Sequence, residues 1–441
     1  MHQLEGRGTA ADAPHAVLWW DRLVAGDPAA GRPRPPLDGD TTADVVVVGA
    51  GSTGVWTAYY LLEADPSLDV LVLDADRAGA GGGGRSAGAV ATRPLGDPDA
   101  GREDVEEDRQ RDLRAALRDS VVEVGGVLAA EQVDAGFRYG GLVTLARTFP
   151  AVDRVAARAA AAPRLGDEER LLDGVGAARH VRAEGVLAAT WSPDGAHVDP
   201  VRLQRGLLDV LEARGARVAE RTAALRVSPG AVATVHGVVR APRVVVTTGA
   251  TTVPGAPGAA SVVRSGALAT EPLPEEVWQE VGLAPGVTVV EDRHRPLQLV
   301  RSTDDRLVAG GAPDDLLRVA DLLPAVRHHA VTHVWTARHG VTGDGRPAVG
   351  LDAGSGIAWG VGAGVGGPAL ANLAGRVLAD LVTGAGSALT ELPWVRRPAE
   401  PSRLAVPPAV RDAAAAWADR AEERRGRVPA LAGLLARRLP R

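Results

Sequence analysis

Between Val45 and Gly54 the chain reads VVVVGAGSTG. Four β-branched residues in a row suit a strand buried on both faces, as in a parallel sheet. The glycines that follow force a turn, Thr53 to Glu63 carries a helical pattern, and DVLVLD, Asp69 to Asp74, is a second apolar strand. Strand, glycine turn, helix and strand within about 30 residues make the βαβ unit of a dinucleotide site. Gly49, Gly51 and Gly54 fit G-x-G-x-x-G. Asp74 closes the next strand about 20 residues later, where a carboxylate can bond ribose hydroxyls.

A second glycine cluster, GGGGRSAG, spans Gly81 to Gly88. Its last five residues fit G-x-S-x-G, which would make Ser86 the nucleophile of a hydrolase. That elbow needs a strand immediately before the serine and a helix immediately after it, and neither is legible here. A flexible linker is the other reading of consecutive glycines. The cluster follows directly on the Asp74 strand, which favours a loop whose backbone runs close to a ligand. A third cluster, GVGAGVGGPALANLAGRVLADL (Gly360 to Leu381), puts Gly367 near an N-cap and Pro368 at the first helical position. It predicts another helix start, one that either faces an anion or is simply a tightly packed helix entry.

Composition removes several chemistries. A net charge of -6 argues against a nucleic-acid partner. All the basic residues are arginine, so no lysine can form a Schiff base or serve a Walker A loop. With no cysteine there are no disulfides, thiolate metal sites or cysteinyl-flavin links. His328, His329 and His333 have helical spacing but no third ligand nearby, so they read as structural or surface residues and no metal is expected. The opening segment lacks the apolar core of an export signal, and the uncharged runs Val45 to Leu62 and Ala353 to Gly375 are crowded with glycine. The expectation is a soluble, cytoplasmic protein with no membrane partner.

Elsewhere the pattern predicts a charged helix from about Arg102 to Gln132, a strand FRYGGLVTLA (Phe137 to Ala146), and a helix from Ala151 to Ala162. DPVRLQRGLLDVLEARG is a helix with Asp199 as N-cap, Pro200 in the first turn and Gly215 as its stop. Ser261 to Gly311 alternates like antiparallel strands around LPEEVWQEVG, and Pro368 to Val382 reads as a helix. The Arg-rich tail, Ala409 to Arg441, looks helical, with RAEERRGR (Arg420 to Arg427) as a solvated face.

Together these segments resemble the FAD-dependent oxidoreductases of the D-amino acid oxidase and glycine oxidase type, most closely the γ-glutamylputrescine oxidoreductase-like branch. The likeness runs in order through LWW, ADVVVVGAGSTGVWTAYYL, GAGGGGRSAG, HVDPVRL, VVVTTGA, ATEPLPEEVW, RSTDDRLVAGG, GVTGDGRPAVG and ADRAEERRGR. It implies an α/β protein, α+β overall: a Rossmann-type FAD-binding domain interleaved with a substrate domain built on a mostly antiparallel sheet. The FAD-binding parts would be 17–100, 196–255 and 335–390, the substrate parts 101–195 and 256–334, and the helical tail 391–441. FAD would be bound non-covalently.

By the same resemblance, Gly49, Gly51 and Gly54 with Ser52 and Thr53 would hold the pyrophosphate and Asp74 the ribose. Gly83, Gly84, Arg85 and Ser86 would lie along the flavin, and Val227 and Gly249 would border the adenine side. Gly364, Val365, Gly366 and Gly367 would aim backbone N–H groups at the flavin N1 and C2 region. The implied reaction is oxidation of a small amine or amino acid to an imine, with dioxygen or another electron acceptor. Arg301, Arg338, His339 and Arg293 are candidates for substrate contact, and a substrate carboxylate would call for arginine. The chain departs from the family where GASGRNGG becomes GGGGRSAG, where a GGHG-type turn becomes VGGP, and where two aromatics become Leu299 and Val300. Those departures keep a flavin-binding scaffold or partner subunit with little turnover as the alternative, with a hydrolase using Ser86 a distant third.

Overall fold

A computed structural model describes residues 17–92, 107–312, 318–400 and 408–425. Val45–Val48 lies inside a six-stranded sheet ordered Arg217–Ala219, Val70–Leu73, Val45–Val48, Arg243–Val246, Ile357–Val361, Ala348–Asp352. Its neighbours pair in parallel except at the last edge. All residues of Val45–Val48 and Val70–Leu73 are buried, because helices cover both faces of such a sheet and apolar runs need not alternate. The chain leaves Val45–Val48 for one neighbour and reaches the other, Arg243–Val246, much later. This is a topological switch, and open α/β sheets bind ligands at the carboxyl ends beside it.

The helices Ser52–Ala64 and Gly367–Thr383 pack against each other through Gly375, where a Cβ would sit 2.5 Å from the Trp56 Cβ. Glycine at that point lets the two backbones approach.

An eight-stranded sheet runs Val331–Val341, Ser261–Pro272, Arg306–Gly311, Leu297–Arg301, Thr288–Glu291, Leu142–Ala146, Ala188–Ser192, Arg170–Asp173. It is antiparallel apart from one parallel pair, Thr288–Glu291 with Leu142–Ala146. One face buries Val143, Leu145, Leu299, Leu307 and Trp278. The other buries Ala267, Ala269, Val300, Val308 and Trp335 against Trp19 and Ala87, so the end of the second glycine cluster docks on this face. Among the described residues no helix is long and apolar enough to cross a membrane.

Asp199 caps its helix as expected, accepting the N–H groups of Val201 and Arg202. Two local expectations are corrected. FRYGGLVTLA is not one strand: Arg138–Tyr139 pairs with Gly195–His197, while Leu142–Ala146 joins the large sheet. The break falls at Gly140–Gly141, where Gly141 has φ +84° and a Cβ on Gly140 would meet the Gly286 backbone at 2.2 Å. In the tail helix, Pro408–Arg425, Arg420, Glu423 and Arg424 of the charged run are exposed as expected, but the face is not wholly solvated. Its Asp419 and Glu422 are buried, Asp419 accepting the N–H groups of His294 and Arg295 and Glu422 pairing with Arg154 and His294. The basic partners lie more than 100 residues away in sequence, so the local charge pattern gave no sign of them. The tail beyond Arg425 and the start of the Arg102 helix lie outside the described residues.

Candidate cofactor and active site

The three glycines of GAGSTG do three different things. Gly49 has φ +106°, and a Cβ there would lie 2.7 Å from the Thr247 carbonyl oxygen. Gly54 sits so close to the preceding strand that a Cβ would come within 1.9 Å of the Gly49 carbonyl oxygen. Gly51 meets nothing within 4 Å. A tight turn, an open approach and a close helix–strand contact are the roles a dinucleotide fingerprint requires of its successive glycines. No side chain caps the N-terminus of Ser52–Ala64, so N–H groups of its first turn are left for an anion. Asp74 accepts the N–H groups of Ala50 and Asp76, both at 2.9 Å. Burial raises its pKa above the usual carboxylate value.

GGGGRSAG forms a short 3-10 turn, Gly82–Arg85, followed by the strand Ala89–Ala91. A turn before the serine and a strand after it are not a nucleophile elbow, and the buried Ser86 hydroxyl has no hydrogen-bond partner among the described residues. The glycines are filled by protein rather than left as space. A Cβ on Gly82 would meet the Arg338 carbonyl oxygen at 2.6 Å, one on Gly83 the Ser52 hydroxyl at 2.6 Å, and one on Gly84 the Gly79 carbonyl oxygen at 2.1 Å. Gly81 alone of the four is open. The cluster therefore lets the loop fit between the helix Ser52–Ala64 and the edge strand Val331–Val341.

Three indoles hold that loop: Trp20 donates to the Gly79 carbonyl at 3.1 Å, Trp19 to Ser86 at 2.8 Å and Trp335 to Arg85 at 2.8 Å. Arg85 in turn donates to the carbonyls of Ala80 and Thr336. The buried Glu220, paired with Arg205 at 2.7 Å, accepts the Ala78 N–H where the loop begins. Of these anchors only the LWW segment had any sequence signal, as part of the resemblance; Trp335, Glu220 and Arg205 had none.

His339 joins the two late elements to the loop. Its Nδ1 lies 3.1 Å from a Cβ position on Gly82 and 4.0 Å from one on Gly364, while Nε2 is 3.1 Å from the Ser265 hydroxyl. Burial lowers its pKa to about 4, so it is neutral near pH 7. The next residue, Gly340, passes under Gly249, whose carbonyl oxygen would be 2.1 Å from a Cβ there. Gly367 has φ +75° and faces the Ala89 carbonyl, which brings the start of the late helix beside the strand after the loop. Gly366 would place a Cβ 2.3 Å from the Leu370 side chain.

The other candidates are placed differently. Val227 is buried in a separate four-stranded sheet, where its N–H bonds the Pro254 carbonyl. Arg301 pairs with Asp305 at 2.7 Å and Glu275 at 3.4 Å and lies over Trp278. Arg293 is buried among Glu291, Asp419 and Glu423. Both guanidiniums are paired with carboxylates of this chain. Arg338 is exposed and stands opposite Arg264, on the sheet face away from His339. His329 pairs with Glu271 and His333 with Asp21. No group of three or more metal-ligating side chains converges among the described residues.

His197, from HVDPVRL, was not singled out by its sequence. It is 1% exposed, has no hydrogen-bond partner on either ring nitrogen among the described residues, and lies beside Gly88. Burial first, then the charges of Arg22 and Arg138, lower its pKa to about 3.

The chain is 29% identical over 378 residues to gamma-glutamylputrescine oxidoreductase of Escherichia coli strain K12, covering 80% of this chain and 86% of the relative. Among solved structures, glycine oxidase from Bacillus cereus ATCC 14579 aligns with a TM-score of 0.66 at 18% identity, over 80% of this chain and 99% of that one. L-proline dehydrogenase from P. horikoshii gives 0.65 at 18% identity, over 80% and 96%. These structural likenesses bear on the fold alone. The family model for FAD dependent oxidoreductase matches residues 44–381, from the strand that opens the dinucleotide unit to the helix after the late glycines, and the chain belongs to that family.

Proposed function

We propose that this protein oxidises an amine or amino acid at the carbon bearing nitrogen, in the cytoplasm, passing electrons to dioxygen or another acceptor. The carrying observation is the convergence of His339, the Gly82–Arg85 turn and the Gly364–Gly367 turn beside a fingerprint whose glycines have the spacing a dinucleotide needs. FAD, held non-covalently, supplies a hydride acceptor, and the imine product is hydrolysed by water.

In this reading Gly49, Gly51, Ser52, Thr53 and Gly54 hold the pyrophosphate, Asp74 the ribose, and Val227 and Gly249 the adenine side. Gly83, Gly84, Arg85 and Ser86 shape the loop along the flavin. The backbone N–H groups of Gly364, Val365, Gly366 and Gly367, with the helix dipole behind them, stabilise negative charge. His339 orients the substrate: with Nε2 donating to Ser265, its neutral Nδ1 accepts a hydrogen bond from the amine. The parts 17–100, 196–255 and 335–390 would make the FAD domain, the parts 101–195 and 256–334 the substrate domain, and 391–441 the tail. Because Arg301 and Arg293 are paired internally and Arg338 leaves from the other face, the arrangement favours an amine over a substrate anchored by its carboxylate.

The test is anaerobic mixing of the FAD-loaded protein with a broad panel of amines and amino acids. Bleaching of the flavin band by at least one compound is expected. A panel that never bleaches it overturns the reading.

A further inference from the structure

The tail helix Pro408–Arg425 lies across one end of the large sheet. Near its start Arg411 donates to the Ser261 hydroxyl at 3.5 Å, in the strand Ser261–Pro272. Near its end Glu422 accepts hydrogen bonds from Thr148 and Arg154, the cap and body of the helix Phe149–Ala161 that follows Leu142–Ala146. Four strand spacings separate those two strands in the sheet, about 19 Å. From Arg411 to Glu422 the helix covers about 17 Å, so it spans the strand ends between its two supports.

Both supports belong to the sheet face that carries His339. Side chains alternate along a strand, so Ser261, Val263 and Ser265 share a side; Val263 stands opposite His339 and Ser265 bonds it. At the other support Ala146 packs with Ala151 and Val155. Strand register carries its face through Thr144, Val290, Gln298 and Gly310 to Ala267. Between the supports this face is incompletely covered, because Val290 is partly exposed although its strand has neighbours on both sides. A cleft results, with the glycine cluster on one side, where Ala87 meets Gly310, and the tail helix across its end.

Charge holds the helix there. Among the described residues its buried apolar side chains are alanines, Ala414, Ala416, Ala418 and Ala421, while Val410 and Trp417 are exposed. Asp419, Glu422 and Glu423 meet Arg293, Arg154, His294 and Arg318 instead. The helix Gly367–Thr383, by contrast, buries Leu370, Leu373, Val377 and Leu378. Ion pairs taken out of water return little net free energy, since desolvation offsets their attraction, and alanine contributes little apolar area. An element with few buried apolar contacts opens before the rest of its fold.

We infer that Pro408–Arg425 is a door, which leaves the end of this cleft as a unit while the rest of the fold stays intact, and that substrate enters there. What enters rests on the amine-oxidation reading above; the movement of the helix does not.

Hydrogen exchange of the FAD-loaded protein, read by mass spectrometry, tests the movement. Amides of Pro408–Arg425 are expected to exchange about tenfold or more faster than those of Gly367–Thr383. Arg154→Met should speed the first several-fold and leave the second unchanged. Iodide quenching of flavin fluorescence tests passage. It should strengthen in Arg154→Met and weaken when Ser261→Cys and Arg411→Cys are bridged by a cleavable bis-maleimide, with cleavage restoring it; the chain has no other cysteine. Equal exchange of the two helices in the wild type, a tail helix that Arg154→Met does not loosen, or quenching that the bridge leaves unchanged overturns the inference. The reading of amine oxidation fails separately, by the absence of flavin reduction.

Discussion

Trp335 donates its indole N–H to the carbonyl of Arg85, 250 residues earlier, at 2.8 Å. The bond ties the edge strand of the large sheet to the glycine turn and sets the distance between that turn and His339. Trp335→Phe should keep the ring's packing and remove a donor from a part-buried carbonyl, costing about 1–3 kcal/mol. Flavin affinity should fall with it. Thermal unfolding and equilibrium dialysis of FAD check both effects, and a variant with wild-type values for both would show that the indole is only filler.

Gly51 and Gly54 should separate stability from cofactor binding. Gly54→Ala pushes a Cβ to 1.9 Å from the Gly49 carbonyl oxygen, and unfolding of the apoprotein should become easier by about 2–4 kcal/mol. Gly51→Ala meets no protein atom within 4 Å. It should leave apoprotein stability within about 0.5 kcal/mol yet weaken FAD binding.

The glycine cluster makes a similar contrast. Gly84→Ala collides with the Gly79 backbone at 2.1 Å and Gly83→Ser with the start of the helix Ser52–Ala64, whereas Gly81→Ala enters open space. The first two should lose thermal stability and flavin together, and Gly81→Ala neither. If Gly83→Ser instead kept full stability and changed substrate preference, the cluster would be a pocket wall rather than a packing device.

His339 gives a pH signature. Burial holds its pKa at about 4, below the unfolded value of about 6.5, so the unfolded state binds the extra proton between those values. Stability from this group is present above about pH 6.5 and lost as pH falls toward 4. His339→Gln removes the titration. The difference in unfolding free energy between wild type and variant should therefore change by an amount on the order of 2 kcal/mol from pH 7 to pH 4, measured by urea unfolding at each pH.

The sequence by itself determined the βαβ unit and placed Gly49, Gly51 and Gly54 in its strand-to-helix turn. Strand burial and helix starts depend on residues close in the chain, and local pattern records them, whereas the tertiary structure decided the duty of each glycine, Gly49 lying against the distant Thr247 carbonyl. The sequence also located the loop from Gly82 to Ser86 and named His339, although without saying what would surround it. Only the tertiary structure decided which charges were free. Arg293 is spent on Glu423, 130 residues away, and Arg154 on Glu422, 268 residues away. An ion pair needs only that two side chains meet in space, and sequence spacing does not constrain that. The same reason hid the contacts of Trp335 and Glu220. Each is made by strands or loops whose neighbours are fixed by sheet register and packing between layers, and no local periodicity encodes that.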